Sequence, residues 1–112
     1  MLYKDILDQI NLFPGTRYMG SKEKLLKNLF NVFNGLDFNT SLDLMSGTGV
    51  VSYLLKAMGK SVHSNDYMNM NYSYSRALIE NQTTKLNSSD LKMILKLNQK
   101  STFVQSKFKG LY

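Results

Sequence analysis

A strand-like stretch, Ser41 to Met45, runs directly into the glycine turn Ser46-Gly47-Thr48-Gly49 and then into a helical stripe of Val50, Val51, Leu54, Leu55 and Met58. A second strand-like stretch, Lys60 to Asn65, follows and ends at Asp66. Strand, helix and strand in that order imply a parallel pair with a right-handed crossover. This segment constrains the fold more than any other, and it makes the chain α/β. The two glycines let backbone approach a ligand closely. Ser46 and Thr48 offer side-chain hydrogen bonds, and the amides that open the Val50 helix present its positive dipole end. Asp66, at the tip of the second strand, suits the two hydroxyls of a ribose. The unit therefore reads as a pocket for a nucleoside-bearing cofactor. The alternative is a tight loop without a ligand, with Asp66 capping the helix that begins at Tyr67. Both roles of Asp66 are mutually compatible.

Two details separate this turn from a dinucleotide site. A dinucleotide fingerprint places a third glycine where helix and strand pack closely, and here that position is Ser52, or Val51 in another register. The acidic residue before the turn, Asp43, is the second difference. A carboxylate there can bind the amino group, or water held by the carboxylate, of an amino-acid moiety. S-adenosylmethionine is therefore favoured over NAD.

The remaining pattern is mostly helical, in the order α-α-β-α-β-α-α. Ile6, Leu7 and Ile10 share one face of a short helix over 3–11. A loop over 11–18 contains Pro14-Gly15. Ser21 reads as an N-cap with Glu23 in the first turn. Leu25, Leu26, Leu29, Phe30 and Phe33 form the next stripe, which Asn34-Gly35 closes with a left-handed cap. Gly59 closes the Val50 helix, and Val62 is the clearest core residue of the second strand. A helix over 67–81 places Met70, Tyr74, Ala77 and Leu78 on its apolar face. Ser88-Ser89-Asp90 starts a last helix carrying Leu91, Ile94 and Leu95. A parallel sheet must be covered on both faces, and two strands leave edges and apolar surface bare. The chain therefore reads as an incomplete fold, prone to association.

Composition narrows the classes further. The chain has 112 residues, 43% hydrophobic and 20% charged, which suits one small globular domain at most. Without cysteine there are no disulfides or thiolate metal sites, and the single histidine, His63, argues against a protein-only metal site. No apolar run approaches the ~20 residues of a membrane span, and residues 1–5 lack a signal-peptide core. The expected compartment is the cytoplasm, with no membrane partner. The net charge of +6 and pI of about 9.6 favour a polyanionic partner.

Three ordered motifs now carry a resemblance. Arg17-Tyr18-Met19-Gly20-Ser21-Lys22 with Leu25-Leu26, the glycine stretch Asp43 to Ser52, and Ser64-Asn65-Asp66-Tyr67 resemble the cofactor motifs of D12-class (Dam-like) adenine-specific DNA methyltransferases. Ser75 to Asn81 is similar to the helix that follows in that family, so the resemblance covers about 16–82. It implies a Rossmann-like S-adenosylmethionine-dependent methyltransferase fold, represented by an N-terminal βαβ half with flanking helices. It further implies that Tyr18 contacts the cofactor, Lys22 meets its methionine end, and Met45, Ser46, Gly47, Thr48 and Gly49 wrap the methionine and ribose. Asp66 would hold the ribose hydroxyls and Tyr67 would lie beside the adenine. Met45 stands where the family usually has phenylalanine, and Gly20-Ser21 where it often has two glycines. Lys22 is alternatively a solvated first-turn lysine, although a cation at a helix N-terminus is unfavourable and a ligand carboxylate would account for it. Tyr18 is alternatively a residue packed on the Leu25-Leu26 helix.

The family transfers a methyl group to adenine N6 in double-stranded DNA with an Asp-Pro-Pro-Tyr-like tetrapeptide, whose ring stacks on the flipped base. Pro14 is the one proline in this sequence, so the tetrapeptide is absent and no catalytic residue is assigned. The expected organisation is one partial methyltransferase domain over 1–112, with a cofactor half over about 16–82 and the start of a target-recognition segment over about 83–112. Lys85, Lys92, Lys96, Lys100, Lys107 and Lys109 charge that segment, either as phosphate contacts or as a solvated face. The expected state of the chain is a truncated enzyme, inactive alone, with a second chain as one source of the catalytic half. The alternatives are a non-catalytic remnant and a small basic nucleic-acid-binding module.

Overall fold

A computed structural model describes residues 1–15 and 22–98, and the side chains of all but the last two of these. The expected Ser21 cap, the Tyr18 contact and the lysines at 100, 107 and 109 lie outside the described residues. The chain divides into two compact units, Met1–Gln82 and Thr83–Tyr112.

The first unit contains α1 (Tyr3–Asn11), a 3-10 turn (Glu23–Leu25), α2 (Leu26–Asn34), β1 (Thr40–Asp43), α3 (Val50–Ala57), β2 (Ser61–Ser64) and α4 (Asn69–Ser75). α4 passes directly into a π-helical turn, Arg76–Glu80. The described part of the second unit is α5 (Ser88–Asn98). The element order follows the hydrophobic periodicity; β1 begins one residue before the expected Ser41 and ends two before Met45, and β2 is one residue shorter than expected at each end.

Strands β1 and β2 pair in parallel, with Ser41 opposite Val62 and Asp43 opposite Ser64. These four residues are half-buried, whereas Thr40, Leu42, Ser61 and His63 alternate with them and are exposed. Such alternation is what a parallel sheet covered on one face must show. Leu42 is 62% exposed on the open face, and Leu44 and Met45 beyond it are exposed as well.

The core lies among three helices. Ile6 and Ile10 of α1 and Leu26 and Phe30 of α2 pack with Val50, Leu54 and Met58 from the α3 segment. Tyr3 meets Phe30 edge-on at 5.3 Å, and Phe13 meets Tyr53 in the same way at 5.3 Å. α3 ends in a Schellman motif: Gly59 has φ 78°, its N–H donates to Lys56 O, and Lys60 N–H donates to Leu55 O. The cap expected at Gly35 is different. Gly35 has φ −85°, and its N–H and that of Leu36 bond back to Val32 and Phe33, so the chain leaves α2 by a right-handed turn.

The helix expected over 67–81 is also corrected. It begins at Asn69, and its buried face carries Asn71, Ser75 and Ile79, not Met70 and Ala77. Asn71 is turned inward by its hydrogen bond to Asp66, whereas the buried Ser75 hydroxyl has no hydrogen-bond partner among the described residues. α5 starts at Ser88, as expected, and Asn87 caps it. Asn87 Oδ1 accepts from the N–H groups of Ser89 and Asp90, and Asp90 Oδ2 accepts from Asn87 N–H, which forms a capping box.

Candidate functional site

β1 ends at Asp43, and Asn65 holds the chain that leaves it. Asn65 N–H donates to Asp43 O at 2.8 Å, and Asn65 Nδ2 donates to Leu44 O at 2.9 Å. Ser46 N–H returns to Asn65 O at 2.9 Å. The ladder of the sheet is thereby extended into the loop, which then reverses. Gly47 takes φ 56° and Gly49 φ 83°, both in the left-handed region that glycine enters without a Cβ clash. Gly49 N–H closes the turn on Ser46 O at 2.8 Å and Gly49 itself caps α3.

Asp66 ties the tip of β2 to this loop. Its Oδ2 accepts from Gly47 N–H at 2.8 Å. Its Oδ1 accepts from Met68 N–H at 3.0 Å and from Asn71 Nδ2 at 2.9 Å. The bond to Met68, two residues on, makes an Asx turn that delays the helix to Asn69. These donors, Met68 first, then Asn71 and Gly47, hold the Asp66 carboxyl below the usual carboxylate range.

Asp43 is held from the helix side. Ser52, fully buried on α3, donates to Asp43 Oδ2 at 2.8 Å and shares a short hydrogen bond with Ser64 of β2. The position that a dinucleotide site gives to a third glycine is thus a hydroxyl joining both strands to α3.

One cavity of about 330 Å³ opens between these elements. Lys22, Asp43, Met45, Ser46, Gly47, Thr48 and Asp66 line it, together with Leu29, Val50 and Val51. Ser46 Oγ is buried without a hydrogen-bond partner among the described residues, a donor and acceptor left for whatever fills the space. Three expected positions stand differently. Gly49 shapes the turn without lining the cavity, Tyr67 is 95% exposed and does not line it, and Tyr18 is outside the described residues. The three apolar liners were counted as core in the sequence. Their signal was adjacency: Val50 and Val51 directly follow the loop, and Leu29 lies on the stripe that begins after Lys22. Among the described residues no cluster of three or more His, Asp or Glu side chains could hold a metal ion, and no helix is long and apolar enough to cross a membrane.

The family model for D12 class N6 adenine-specific DNA methyltransferases matches residues 18–109. The chain belongs to that family. Among curated proteins, this D12-class chain is 30% identical over 100 residues to the Type II methyltransferase M2.HphI of Haemophilus parahaemolyticus. The match takes in 89% of the chain and 30% of the relative, so the D12-class chain spans under a third of that protein's length. No solved structure matches significantly.

Proposed function

We propose that this chain carries the S-adenosylmethionine half-site of a site-specific DNA methyltransferase that methylates adenine at N6, built on a Rossmann-like βαβ unit. The supporting observation is the cavity itself, which collects Lys22, Asp43, the 45–48 loop and Asp66 from three separate sequence motifs. Its volume lies at the lower end of the roughly 300–1,000 Å³ typical of small-molecule sites. The donor set matches the two ends of the cofactor. Lys22 faces a carboxylate, Asp43 an ammonium, and the amides and hydroxyls of the glycine loop the polar atoms between. Asp66 is assigned to the ribose, the exposed Tyr67 beside it to the adenine, and Tyr18 to a further aromatic contact.

When bound, S-adenosylmethionine supplies an electrophilic methyl group on sulfonium. The described residues orient that donor and provide no group that would engage the adenine amine. The tetrapeptide that does so in the family is absent from these 112 residues. Double-stranded DNA is the substrate of the complete enzyme, with the catalytic segment supplied by further polypeptide, in the same chain or a second one.

Calorimetry with S-adenosylmethionine tests the reading. The chain binds the cofactor, and Asp66→Ala weakens binding at least about tenfold, the loss of a hydrogen bond to a charged group. Absence of binding by the folded wild type would overturn it and favour a remnant or a basic nucleic-acid-binding module. The same preparation transfers no labelled methyl to duplex DNA by itself. Detectable transfer would refute the assignment of a cofactor half-site alone.

A further inference from the structure

Three polar side chains meet between α3 and the sheet, and their chemistry fixes the direction of the protons between them. Ser52 is 0% exposed on α3, and Ser64 is half-buried on β2. Ser52 Oγ lies 2.8 Å from Asp43 Oδ2 and shares a short hydrogen bond with Ser64 Oγ. An ionised carboxylate only accepts, and a serine hydroxyl carries a single proton. Ser52 spends that proton on Asp43, so Ser64 is the donor within the serine pair. The result is a directed chain from Ser64 to Ser52 to Asp43, in which each hydroxyl polarises the next.

The other buried side chains of helix α3, Val50, Leu54 and Leu55, are apolar. A hydroxyl among them is unfavourable unless it is hydrogen-bonded, and here both hydroxyls serve a single carboxylate oxygen. Asp43 lines the cavity, and its Oδ1 accepts no hydrogen bond and meets no cation among the described residues. We propose that Ser52 and Ser64 are positioning residues, whose relay pins Asp43 Oδ2 on the α3 side and leaves Oδ1 to receive the ammonium of the ligand's amino-acid moiety. The ammonium contact belongs to the cofactor reading above, on which this inference rests, and the relay is the addition. Without the Ser64 hydroxyl, Ser52 is no longer polarised or fixed in rotamer, and the Asp43 carboxylate is free to turn. A ligand ammonium then meets a less well placed acceptor, while the rest of the ligand is held as before.

The test is calorimetry of the 112-residue chain with S-adenosylhomocysteine and the counterpart that carries hydrogen in place of its ammonium group. Wild type binds the desamino compound at least about tenfold more weakly than the parent. In Ser64→Ala that ratio shrinks at least about threefold, because the parent is weakened and the desamino compound binds within about twofold of its wild-type affinity. Ser64→Thr and Ser64→Val are a matched pair that suits a strand and differs in the hydroxyl alone. Threonine keeps the ratio and valine loses it, and this pair decides the question should Ser64→Ala fail to fold. Ser41→Ala removes a β1 hydroxyl that bonds Ser61 O and not Asp43, and it keeps the ratio. A ratio unchanged in Ser64→Ala and Ser64→Val, or equal weakening of both compounds, would overturn the relay and leave the cofactor reading standing. Equal binding of the two compounds by wild type would overturn the relay as well. Failure of the parent compound to bind the folded wild type would overturn both.

Discussion

Ser52 Oγ lies 2.8 Å from Asp43 Oδ2, and the same hydroxyl bonds the hydroxyl of Ser64 across the sheet. One fully buried side chain thereby couples α3, β1 and β2 through Asp43, which lines the cavity. Ser52→Ala removes this junction and leaves the half-buried Asp43 carboxylate without its donor. The variant is expected to lose about 1 kcal/mol of stability and to bind S-adenosylmethionine several-fold more weakly. Urea denaturation and calorimetry measure the two effects. An unchanged midpoint would show that the junction contributes nothing.

Gly49 and Gly59 both adopt left-handed backbone, at φ 83° and 78°. A Cβ at Gly49 would meet Ile79 at an ordinary 3.9 Å, and one at Gly59 would meet nothing within 4 Å. Alanine at either site therefore costs conformational strain alone, about 1–2 kcal/mol. The two variants should lower the unfolding midpoint by similar amounts. Only Gly49→Ala should also weaken cofactor binding, since it reshapes the loop. Equal binding by both variants would contradict a ligand role for the turn.

Lys56 reaches from α3 to the end of the π-helical turn, where its Nζ donates to the carbonyls of Leu78, Ile79 and Asn81 at 3.0, 2.9 and 2.7 Å. A cation there answers the negative end of the α4 segment, while burial lowers the lysine pKa. Lys56→Met keeps the aliphatic stem and removes the charge. The expected loss is roughly 1.5–3 kcal/mol, the range for hydrogen bonds to a charged group, read from the urea midpoint. Hydrogen exchange should accelerate at the amides near 76–81.

The lowered pKa of Asp66 sets a pH dependence with a definite sign. The folded state favours the ionised carboxylate, so the stabilisation is complete above the unfolded value of about 3.9. It is lost as pH falls below that value toward the lower, folded-state pKa. Wild type should therefore lose stability more steeply than Asp66→Asn as pH falls through this acid window, and the gap between them should be flat from pH 6 to 8. Parallel curves through the acid range would remove Asp66 from the explanation.

The open face of the sheet has a measurable consequence. With Leu42 at 62% exposure and Leu44 and Met45 also exposed, the chain should self-associate at high micromolar concentration. Leu42→Lys should shift the sedimentation profile toward monomer. A wild type that stays monomeric throughout would show that this surface is not adhesive.

Local pattern alone determined the element order, because the apolar stripes of α1, α2 and α3 repeat at helical spacing and glycine follows the ends of α2 and α3. It also marked Asp43, the 46–49 turn and Asp66, since chemically distinctive residues sit at strand tips and helix starts, while Lys22 and Met45 were implied by the family resemblance. Other choices were not local. Gly35 directly follows α2, whereas Gly59 stands one residue beyond the end of α3, where the left-handed cap forms, and the apolar pattern did not mark that one-residue difference. The inward face of α4 was misassigned because periodicity ranks Met70 and Ala77 above Asn71 and Ser75. Asp66 holds Asn71 inward through a hydrogen bond, and hydrophobicity carries no record of such a partner. Tertiary structure alone decided that Ser52 holds Asp43 and that Asn71 holds Asp66. Both are contacts between elements, and each exists only once the crossover has brought the strand tips beside the helices.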